Sequence, residues 1–321
     1  MTEKLEDIMK VANGKWPSIL VSLGFTELAV SGKHGPCPIC EGKDRFRFMK
    51  LDGPGRWICN QCGSNDAMNL VMEVNNMSFH EAAKMIRPMV GQADYCAAPK
   101  VPDQADIKRR TSALMDTWRA AKDRESMEAY LKGRGLPKSS YNQASLRCGS
   151  VTLWEDGEKA GKHPCMLARV TNTKNLTVAL HKTYIMPEGK KIKRLSKTVG
   201  PMTGGAIRLF KLEGETLIVA EGIETAMAAR FLYAHRTGKL VPAWATVSAN
   251  GMRSLGIPKQ IKKVIIMGDS DSSFTGQSAA YDLANRLVVK DKLEAEVMLP
   301  KAADMDWLDV LNSMPNRGEF K

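Results

Sequence analysis

Two apolar runs in the C-terminal third of the sequence end abruptly in carboxylates. Residues 217–220 (LIVA) lead into Glu221, and residues 264–267 (VIIM) lead, one residue further on, to Asp269 and Asp271. Apolar runs of this length without alternation predict strands that are buried on both faces, as in parallel sheets. Ligands of such sheets bind beyond the carboxyl ends of the strands. All three acids are therefore expected where the ligand site of an α/β protein lies.

The spacing of the three acids predicts a metal site. Asp269 and Asp271 are two residues apart, so their side chains point the same way in extended chain. Glu221 joins them if the two strands are neighbours in the sheet. Carboxylates that converge without a basic partner repel one another unless they are protonated or neutralised, so a hard cation such as Mg²⁺ is the expected ligand. The alternative is that the acids cap the helices that follow, a role that Asp fills well.

The rest of the C-terminal third alternates between strand-like and helix-like segments. Strands are predicted at residues 216–220, 243–247, 263–267 and 294–299, and helices at 223–235, 252–256, 276–290 and 306–313. This alternation predicts a four-stranded parallel sheet with helices on both faces. Asp306 and Asp309 share a face of the last helix because they are three residues apart. Both are candidates for a further metal carboxylate, and N-terminal capping of that helix is the alternative.

Four cysteines nearer the N-terminus form two C-x₂-C pairs, Cys37 with Cys40 and Cys59 with Cys62. Each pair can present two thiolates to one ion, and two such pairs complete a tetrahedral zinc shell. A shell of four cysteines leaves no open position, so this zinc is predicted to be structural. Disulfides are the alternative, and they are disfavoured in a reducing cytosol.

Basic and aromatic side chains alternate between the two cysteine pairs. The segment at residues 45–48 reads Arg-Phe-Arg-Phe, and Trp57 precedes the second pair. This alternation predicts a strand with one basic and one apolar face. The aromatic face either packs inside the zinc module or stacks unpaired bases while the arginines contact phosphates. Arg45, Arg47 and Trp57 are therefore candidate nucleic-acid contacts.

The positive charge is concentrated in the middle of the chain. The net charge is +12, and residues 91–204 hold 21 Lys and Arg against 11 Asp and Glu. A basic excess confined to one region is typical of polyanion binding, although a charge run can also be a solvated face. The pattern predicts a helix over residues 107–132 and strands near 146–148, 166–170 and 177–184. The candidate phosphate contacts are Arg134, Lys182, Lys190, Lys191, Lys193, Arg194 and Lys197.

Three groups of these residues resemble the Toprim primases of phages and plasmids. The strand that ends at Glu221, the Asp269-x-Asp271 pair and residues 306–312 (DWLDVLN) resemble a Toprim domain. The cysteine block resembles the zinc ribbon of these primases. Residues 130–136 (YLKGRGL) resemble the signature near the start of their catalytic region.

The resemblance implies a DNA primase that synthesises short RNA primers on single-stranded DNA in phage or plasmid replication. The zinc ribbon would engage the template, the basic middle region would hold template and ribonucleoside triphosphates, and the Toprim domain would perform nucleotidyl transfer. Asp269 and Asp271 would hold Mg²⁺ or Mn²⁺. Glu221 would be a further metal ligand or the group that helps to deprotonate the attacking hydroxyl.

Two other functions stay open at this point. A Toprim nuclease would use the same acids on a water nucleophile, and a non-catalytic accessory protein would bind DNA through its zinc module and basic surface alone. The sequence contains no G-x₄-G-K-[ST] motif of an ATP-driven motor, so a separate replicative helicase is a candidate partner.

The expected organisation is that of a multidomain α/β protein. Residues 1–90 form the zinc-ribbon domain, 91–106 a linker, 107–204 the basic α+β region and 205–321 the Toprim domain. A hydrophobic content of 43% and a charged content of 26% are ordinary for a soluble protein. The sequence has neither a long apolar run nor the features of a signal peptide, so we expect a cytoplasmic protein with no membrane partner.

Overall fold

The computed structural model describes residues 5–49, 54–91, 104–141, 144–155, 158–187, 191–196, 199–200 and 202–314. The chain divides into two compact units, Met1–Pro102 and Asp103–Lys321, and the division falls inside the segment predicted as a linker. Within the described ranges, no helix combines the length and the apolar character that crossing a membrane requires.

The N-terminal unit packs five helices against a small antiparallel sheet with the strand order β1-β2-β3. Its elements are α1 Leu5–Ala12, α2 Trp16–Ser22, α3 Glu27–Val30, β1 Phe46–Met49, β2 Arg56–Cys59, β3 Gly63–Asp66, α4 Ala67–Asn75 and α5 Phe79–Val90. Local chemistry fixes where the last two helices begin. The Asp66 carboxylate accepts a hydrogen bond from the amide of Asn69, and Ser78 and Glu81 form a reciprocal capping box.

The C-terminal unit begins with two helices and continues as alternating strands and helices. Its elements are α6 Gln104–Ala120, α7 Arg124–Gly133, a 3₁₀ turn Lys138–Ser140, β4 Leu146–Glu155, β5 Glu158–Thr171, β6 Thr177–Ile185, β7 Lys191–Leu195, β8 Ala206–Arg208, β9 Thr216–Ala220, α8 Ile223–Thr237, β10 Ala243–Ala245, α9 Ala249–Arg253, β11 Lys263–Met267, α10 Thr275–Val289, β12 Glu294–Met298 and α11 Trp307–Ser313.

The predicted four-stranded parallel sheet is confirmed. Strands β12, β11, β9 and β10 lie side by side in that order, and every pair among them is parallel. Their side chains alternate between two apolar clusters, one on each face. Ile218 and Ile265 belong to the cluster that contains α8 and α11, whereas Val219 and Ile266 belong to the cluster that contains α9 and α10. Burial on both faces explains why β9 and β11 are uninterrupted apolar runs. The edge strand β12 reads EAEVM and is partly exposed.

The parallel strands are only half of a larger sheet. The short strand β8 pairs antiparallel with β10 on one side and with β5 on the other, so the order continues β10-β8-β5-β6-β7, with β4 beside β5. Strands from the basic middle region and from the C-terminal third therefore form one continuous sheet. This continuity fixes the middle region relative to the carboxyl ends of β9 and β11.

Three of the predicted elements whose bounds differ from the structure lie next to helix-capping side chains. The helix predicted over 107–132 is two helices, because Asp123 caps a new helix by accepting a hydrogen bond from the Ser126 amide. The strand predicted over 243–247 ends at Ala245, and the helix after it begins at residue 249 instead of 252 because Ser248 caps it. At the start of both helices a polar side chain bonds to the backbone and sets the boundary.

Replacing Ile265 by Ala tests the central position of β11. Ile265 is fully buried, so the substitution should lower the free energy of unfolding by about 2–5 kcal/mol through lost burial and a cavity. Denaturant unfolding followed by circular dichroism measures the change. Leu240→Ala is the matched control, since Leu240 is 72% exposed, and it should have little effect. Equal losses in the two variants would contradict the described core.

Candidate active site

The register of β9 and β11 brings the first two acids together. The strands are parallel neighbours, and Ala220 pairs with Met267 at their carboxyl ends. Glu221 follows directly on one strand, and Asp269 follows two residues after the end of the other. Both side chains are half-buried at the edge of the sheet. The strand adjacency on which the predicted metal site depended is therefore present, although the described carboxylates bring no three oxygen ligands within 4.8 Å of one another.

The electrostatics of Asp269 are those of a crowded anionic site. Burial, then the nearby carboxylates of Glu221, Asp306 and Asp271, raise the pKa of Asp269 to about 7. Burial also raises the pKa of Glu221, although the positive charge of Lys193 partly offsets it. The Oδ1 atom of Asp269 is buried and has no hydrogen-bond partner. A buried carboxylate oxygen without a donor fits a site that is completed by a cation.

Asp271 holds the start of helix α10. Its Oδ1 accepts hydrogen bonds from the Thr275 amide (2.9 Å) and the Ser273 hydroxyl (2.7 Å), and its Oδ2 accepts one from the Gly276 amide (2.8 Å). The capping alternative is therefore present at this residue. An ionised carboxylate has about four acceptor positions, so capping leaves room for a metal ion as well.

Gly276 is required by close approach. A Cβ at this position would lie 2.9 Å from the Asp269 carbonyl oxygen and 3.0 Å from Asp271 Oδ2. Any larger residue would push the helix away from the acidic loop. The glycine thus lets the amides at the start of α10 reach Asp271.

Asp306 and Asp309 form a reciprocal capping box at the start of α11. Asp306 Oδ1 accepts from the amides of Leu308 and Asp309, and Asp309 Oδ2 accepts from the Asp306 amide. Asp306 also stands beside the acidic cluster, since its charge acts on Asp269 and its Oδ2 lies 3.5 Å from Thr225 Oγ1. Asp309 is exposed, and its carboxylate is occupied in the cap. Of the two, Asp306 has the position of a metal ligand.

The loop after β10 has a strained backbone next to the site. Val247 has a φ of 72°, a left-handed conformation that is costly for a β-branched residue. Its amide donates a hydrogen bond to the Glu221 carbonyl (3.0 Å). A Cβ on Gly251 would lie 2.1 Å from the Thr246 carbonyl oxygen. The loop is therefore packed tightly against the chain that presents Glu221.

The predicted basic residues fall on opposite sides of the sheet. Lys191 and Lys193 are two residues apart on β7, so their side chains lie on one face of the sheet. Arg194 is next to Lys193 in sequence and lies on the opposite face, together with its cross-strand partner Lys182 on β6. The face of Lys191 and Lys193 is that of the acids, because Lys193 acts electrostatically on Glu221 and Asp269. Lys190 and Lys197 lie outside the described residues.

A buried glutamate joins this basic face to the acidic site. Glu224, in the first turn of α8, accepts hydrogen bonds from the Tyr130 hydroxyl (2.6 Å) and from Lys191 Nζ (2.9 Å). Burial alone would raise its pKa, but Lys193, Lys191 and Tyr130 outweigh burial and bring the pKa to about 2. Arg134 lies close by, and its charge acts on both Tyr130 and Lys191. Sequence analysis did not single out Glu224; its only signal is a spacing of three residues from Glu221.

The four cysteines of the N-terminal unit converge as predicted. The Sγ atoms of Cys37, Cys40, Cys59 and Cys62 all lie within 4.8 Å of one another. Among the residues described, this is the one group of three or more metal-binding side chains that lie so close together. Two of the sulfur pairs are 3.8 Å apart. Four thiols at this separation fit a closed tetrahedral zinc shell.

The aromatic residues between the cysteines are core residues. Trp57 is 1% exposed, its ring centroid lies 6.0 Å from that of Phe46, and its indole NH donates to the Asp66 carbonyl. Trp57 therefore offers no ring face to a base, contrary to the prediction that it contacts nucleic acid. Cross-strand pairing explains the burial, because Phe48 and Trp57 lie opposite each other on the inner face.

The arginines lie on the other face of this ribbon. Arg47 is exposed, and its Nε donates to the Gly32 carbonyl (2.8 Å). Arg45 bonds the side chain of Gln61. Their guanidinium groups stay candidates for phosphate contacts.

Three family models match the chain. Residues 32–68 match the zinc-binding domain of primase-helicase, and residues 216–316 match the Toprim domain. Together these two matches support a primase-type protein. Residues 108–209 match a domain of unknown function (DUF7146), so the basic middle region has a recognised family without an assigned role.

Several solved primase structures are similar to this chain at low identity. The Aquifex aeolicus primase (zinc-binding and RNA polymerase domains) is 15% identical, with 97% of this chain and 82% of that chain covered and a TM-score of 0.43. A Pseudomonas aeruginosa DNA primase domain is 13% identical (63% and 74% covered, TM-score 0.43). The primase fragment of the bacteriophage T7 primase-helicase protein is 15% identical (87% and 94% covered, TM-score 0.40). These values are too low to support conclusions about mechanism.

Zinc content tests the cysteine site. The purified protein should carry zinc, and Cys59→Ser should lose it and unfold the N-terminal unit, because structural zinc contributes roughly 10–16 kcal/mol to small modules. Metal analysis after gel filtration measures the zinc, and limited proteolysis measures the unfolding. Cys165→Ser is the control, since Cys165 is buried in the other unit. A Cys59→Ser protein with its full zinc content would contradict the assignment.

The raised pKa of Asp269 predicts a pH-dependent stability. Because the folded protein holds the Asp269 proton up to about pH 7, ionisation above that pH destabilises the metal-free fold. The stability contributed by the protonated group is complete below the unfolded pKa near 4 and is lost as the pH rises through 7. In the presence of EDTA at pH 8, Asp269→Asn should therefore stabilise the C-terminal unit by roughly 1–2 kcal/mol, allowing for solvent screening.

Thermal unfolding of residues 103–321 or of the whole chain at pH 8 and pH 5 measures this effect. The gain should shrink at pH 5, where wild-type Asp269 is already neutral. Asp291→Asn is the control, since Asp291 is a surface carboxylate that pairs with Arg286. A gain of the same size at both pH values would show that repulsion at Asp269 is not its cause.

Proposed function

We propose that the protein synthesises short RNA primers on single-stranded DNA by metal-dependent nucleotidyl transfer, in phage or plasmid replication. The observation that carries the proposal is the unpartnered, buried Oδ1 of Asp269 among the carboxylates of Glu221, Asp271 and Asp306. It supports a cation site at the carboxyl ends of β9 and β11, on a domain that matches the Toprim family model. The zinc-binding domain of primase-helicase type in the same chain supports a priming role.

The acids would hold the metal from two directions. Asp269 and Asp271 come from the loop after β11, and Glu221 comes from the end of β9. Asp306 is a further candidate ligand from the start of α11. Bound Mg²⁺ or Mn²⁺ would supply positive charge that stabilises the negative charge developing on the phosphate during transfer.

In the reaction, the 3′-hydroxyl of the primer attacks the α-phosphate of a ribonucleoside triphosphate, and pyrophosphate leaves. Glu221 either completes the ligand set or accepts the proton of the attacking hydroxyl, and its raised pKa suits the second role. Lys193 faces the same carboxylates, so its ammonium group can bind the triphosphate next to them.

The remaining parts would bind template and partner. Arg45 and Arg47 lie on the exposed side of the zinc module, where they can contact template phosphates. Arg134 and Lys191 belong to the basic face next to the acids, and Lys182 and Arg194 present positive charge on the opposite face. A separate helicase would deliver the protein to unwound DNA.

Primer synthesis with single-stranded templates tests the proposal. Labelled ribonucleotides and Mg²⁺ or Mn²⁺ should give short RNA products, and Glu221→Ala should reduce them by about 10²-fold or more, as expected for loss of a charge-stabilising group. Glu213→Ala is the matched control, because Glu213 is an exposed glutamate that pairs with Lys211. It should leave synthesis unchanged.

The same assay separates the rival functions. Cleavage of the template without nucleotides, lost in Glu221→Ala, would indicate a nuclease that uses the same acids on water. DNA binding with neither synthesis nor cleavage, unchanged when helicase is added, would indicate an accessory protein. Full activity in Glu221→Ala would overturn the site assignment.

A further inference from the structure

We propose that Glu224 is a positioning residue, which holds strand β7 through Lys191 and helix α7 through Tyr130 so that Lys193 faces Glu221 and Asp269. The inference rests on the proposed function for its consequence in catalysis. Its structural content is a buried contact between three elements that are distant in sequence.

Glu224 is buried and its carboxylate serves two partners at once. The residue is 3% exposed. A single oxygen, Oε1, accepts both the Tyr130 hydroxyl at 2.6 Å and Lys191 Nζ at 2.9 Å, from residues 94 and 33 positions away. A buried charge is tolerated only when it is paired and hydrogen-bonded. The position of β7 and α7 relative to α8 is therefore coupled to this one carboxylate.

Strand β7 needs such an anchor. It is five residues long and lies at the edge of the sheet, where the described part of the chain gives it β6 as its one paired neighbour. On one face, Ile192 packs against the cluster that contains Trp118 and Tyr184. On the other face, the contact of Lys191 with Glu224 is the ion pair that ties the strand to α8.

Lys193 is placed by the same strand. It is two residues after Lys191 and so points to the same face, opposite the buried Thr183 of β6. Its charge acts on three carboxyls, those of Glu221, Glu224 and Asp269. Lys193 is exposed, so its ammonium group can meet an anionic ligand beside the acids.

The other titratable groups on this face do not replace that charge. Burial, then Lys193, lowers the pKa of His181 to about 4, so this histidine is neutral at pH 7. Arg134 approaches from the end of α7, next to Tyr130. The positive charge next to the acids therefore comes from Lys193, and its position depends on strand β7. The position of β7 in turn depends on the contact between Lys191 and Glu224.

A displacement of about 1 Å in a group that binds the reacting phosphates can cost about 10²-fold in rate. Release of β7 should thus reduce primer synthesis although no group that touches the substrate has been changed. It should also be visible without substrate, as faster hydrogen exchange of the β7 amides.

The experiment combines hydrogen exchange with kinetics on the full chain. In Glu224→Leu, the peptide that covers residues 191–196 should exchange at least tenfold faster, while peptides covering β9, β11 and the zinc ribbon stay unchanged. The value of kcat/KM for the ribonucleotide should fall by about 10²-fold. Lys193→Met should reproduce the kinetic loss without the change in exchange. Glu215→Gln, which breaks the surface pair of Glu215 with Lys262, should change neither.

A double variant excludes a general loss of folding. Glu224→Leu leaves the half-buried Lys191 without its ion-pair partner, whereas Glu224→Leu with Lys191→Met removes both charges and commonly restores stability. The proposal expects the double variant to fold, with a wild-type unfolding temperature, and still to show fast β7 exchange and slow synthesis. Recovery of both exchange protection and activity in the double variant would overturn the proposal. The ion pair of Glu224 and Lys191 would then affect the stability of the fold and not the position of β7.

The outcomes for the two proposals are distinguishable. If the wild-type protein makes no primers but Glu224→Leu still releases β7, the proposed function fails and the positioning role stands. If Glu224→Leu leaves both the exchange of residues 191–196 and the kinetics unchanged, the positioning role is wrong whatever the protein catalyses.

Discussion

The in-register pairing of two parallel strands is the constraint on which the candidate site depends. Because Ala220 pairs with Met267, strands β9 and β11 end at the same level. The carboxylates of Glu221 and Asp269, which follow these strands, therefore lie at the same edge of the sheet. The cost of this arrangement is visible in the raised pKa values of Asp269 and Glu221, which follow from burial and mutual repulsion. Strands buried on both faces cannot move apart to relieve that repulsion without losing their apolar contacts. A cation at the proposed metal site would relieve this repulsion directly, without any loss of the apolar contacts that stabilise the fold.

The second constraint is the continuity of the sheet. Strand β8 is three residues long, yet it joins the parallel half of the sheet to the antiparallel half by pairing with both β10 and β5. Through this connection the basic strand β7 has a fixed place relative to the acids. Glu224 provides a second connection between β7 and the Toprim-like part of the sheet, because its carboxylate accepts hydrogen bonds from both Lys191 and Tyr130. Positive and negative groups thus meet although they come from different thirds of the chain, and opposing charge of this kind is what a triphosphate and its metal ion require.

Two of the acids at the site, Asp271 and Asp306, also stabilise the starts of helices, whereas Asp269 and Glu221 cap no helix in the described part of the chain. Asp271 caps α10 and Asp306 caps α11, so each carboxylate is held in place by backbone amides. Asp269 has an oxygen with no such partner. Substitutions at the capping residues therefore combine a local structural effect with any chemical one, whereas Asp269 and Glu221 report more directly on the chemistry. The N-terminal unit shows a similar division, because its aromatic residues build the core and its arginines stay on the outside.

The sequence by itself determined the elements whose signals are local. Apolar runs located β9 and β11, the two C-x₂-C pairs located the cysteine cluster, and the strand-end positions of Glu221 and Asp269 predicted their meeting. Strand alternation alone did not show which face of β7 would meet the acids, and it did not exclude Trp57 from the surface. Those points depended on which element packs against each face. Glu224 is the clearest case, because a glutamate on an amphipathic pattern is ordinarily exposed, and only the arrival of Tyr130 and Lys191 from distant segments buries it. Tertiary structure decided the charge partners, since pairing energies arise between residues that the linear order keeps apart.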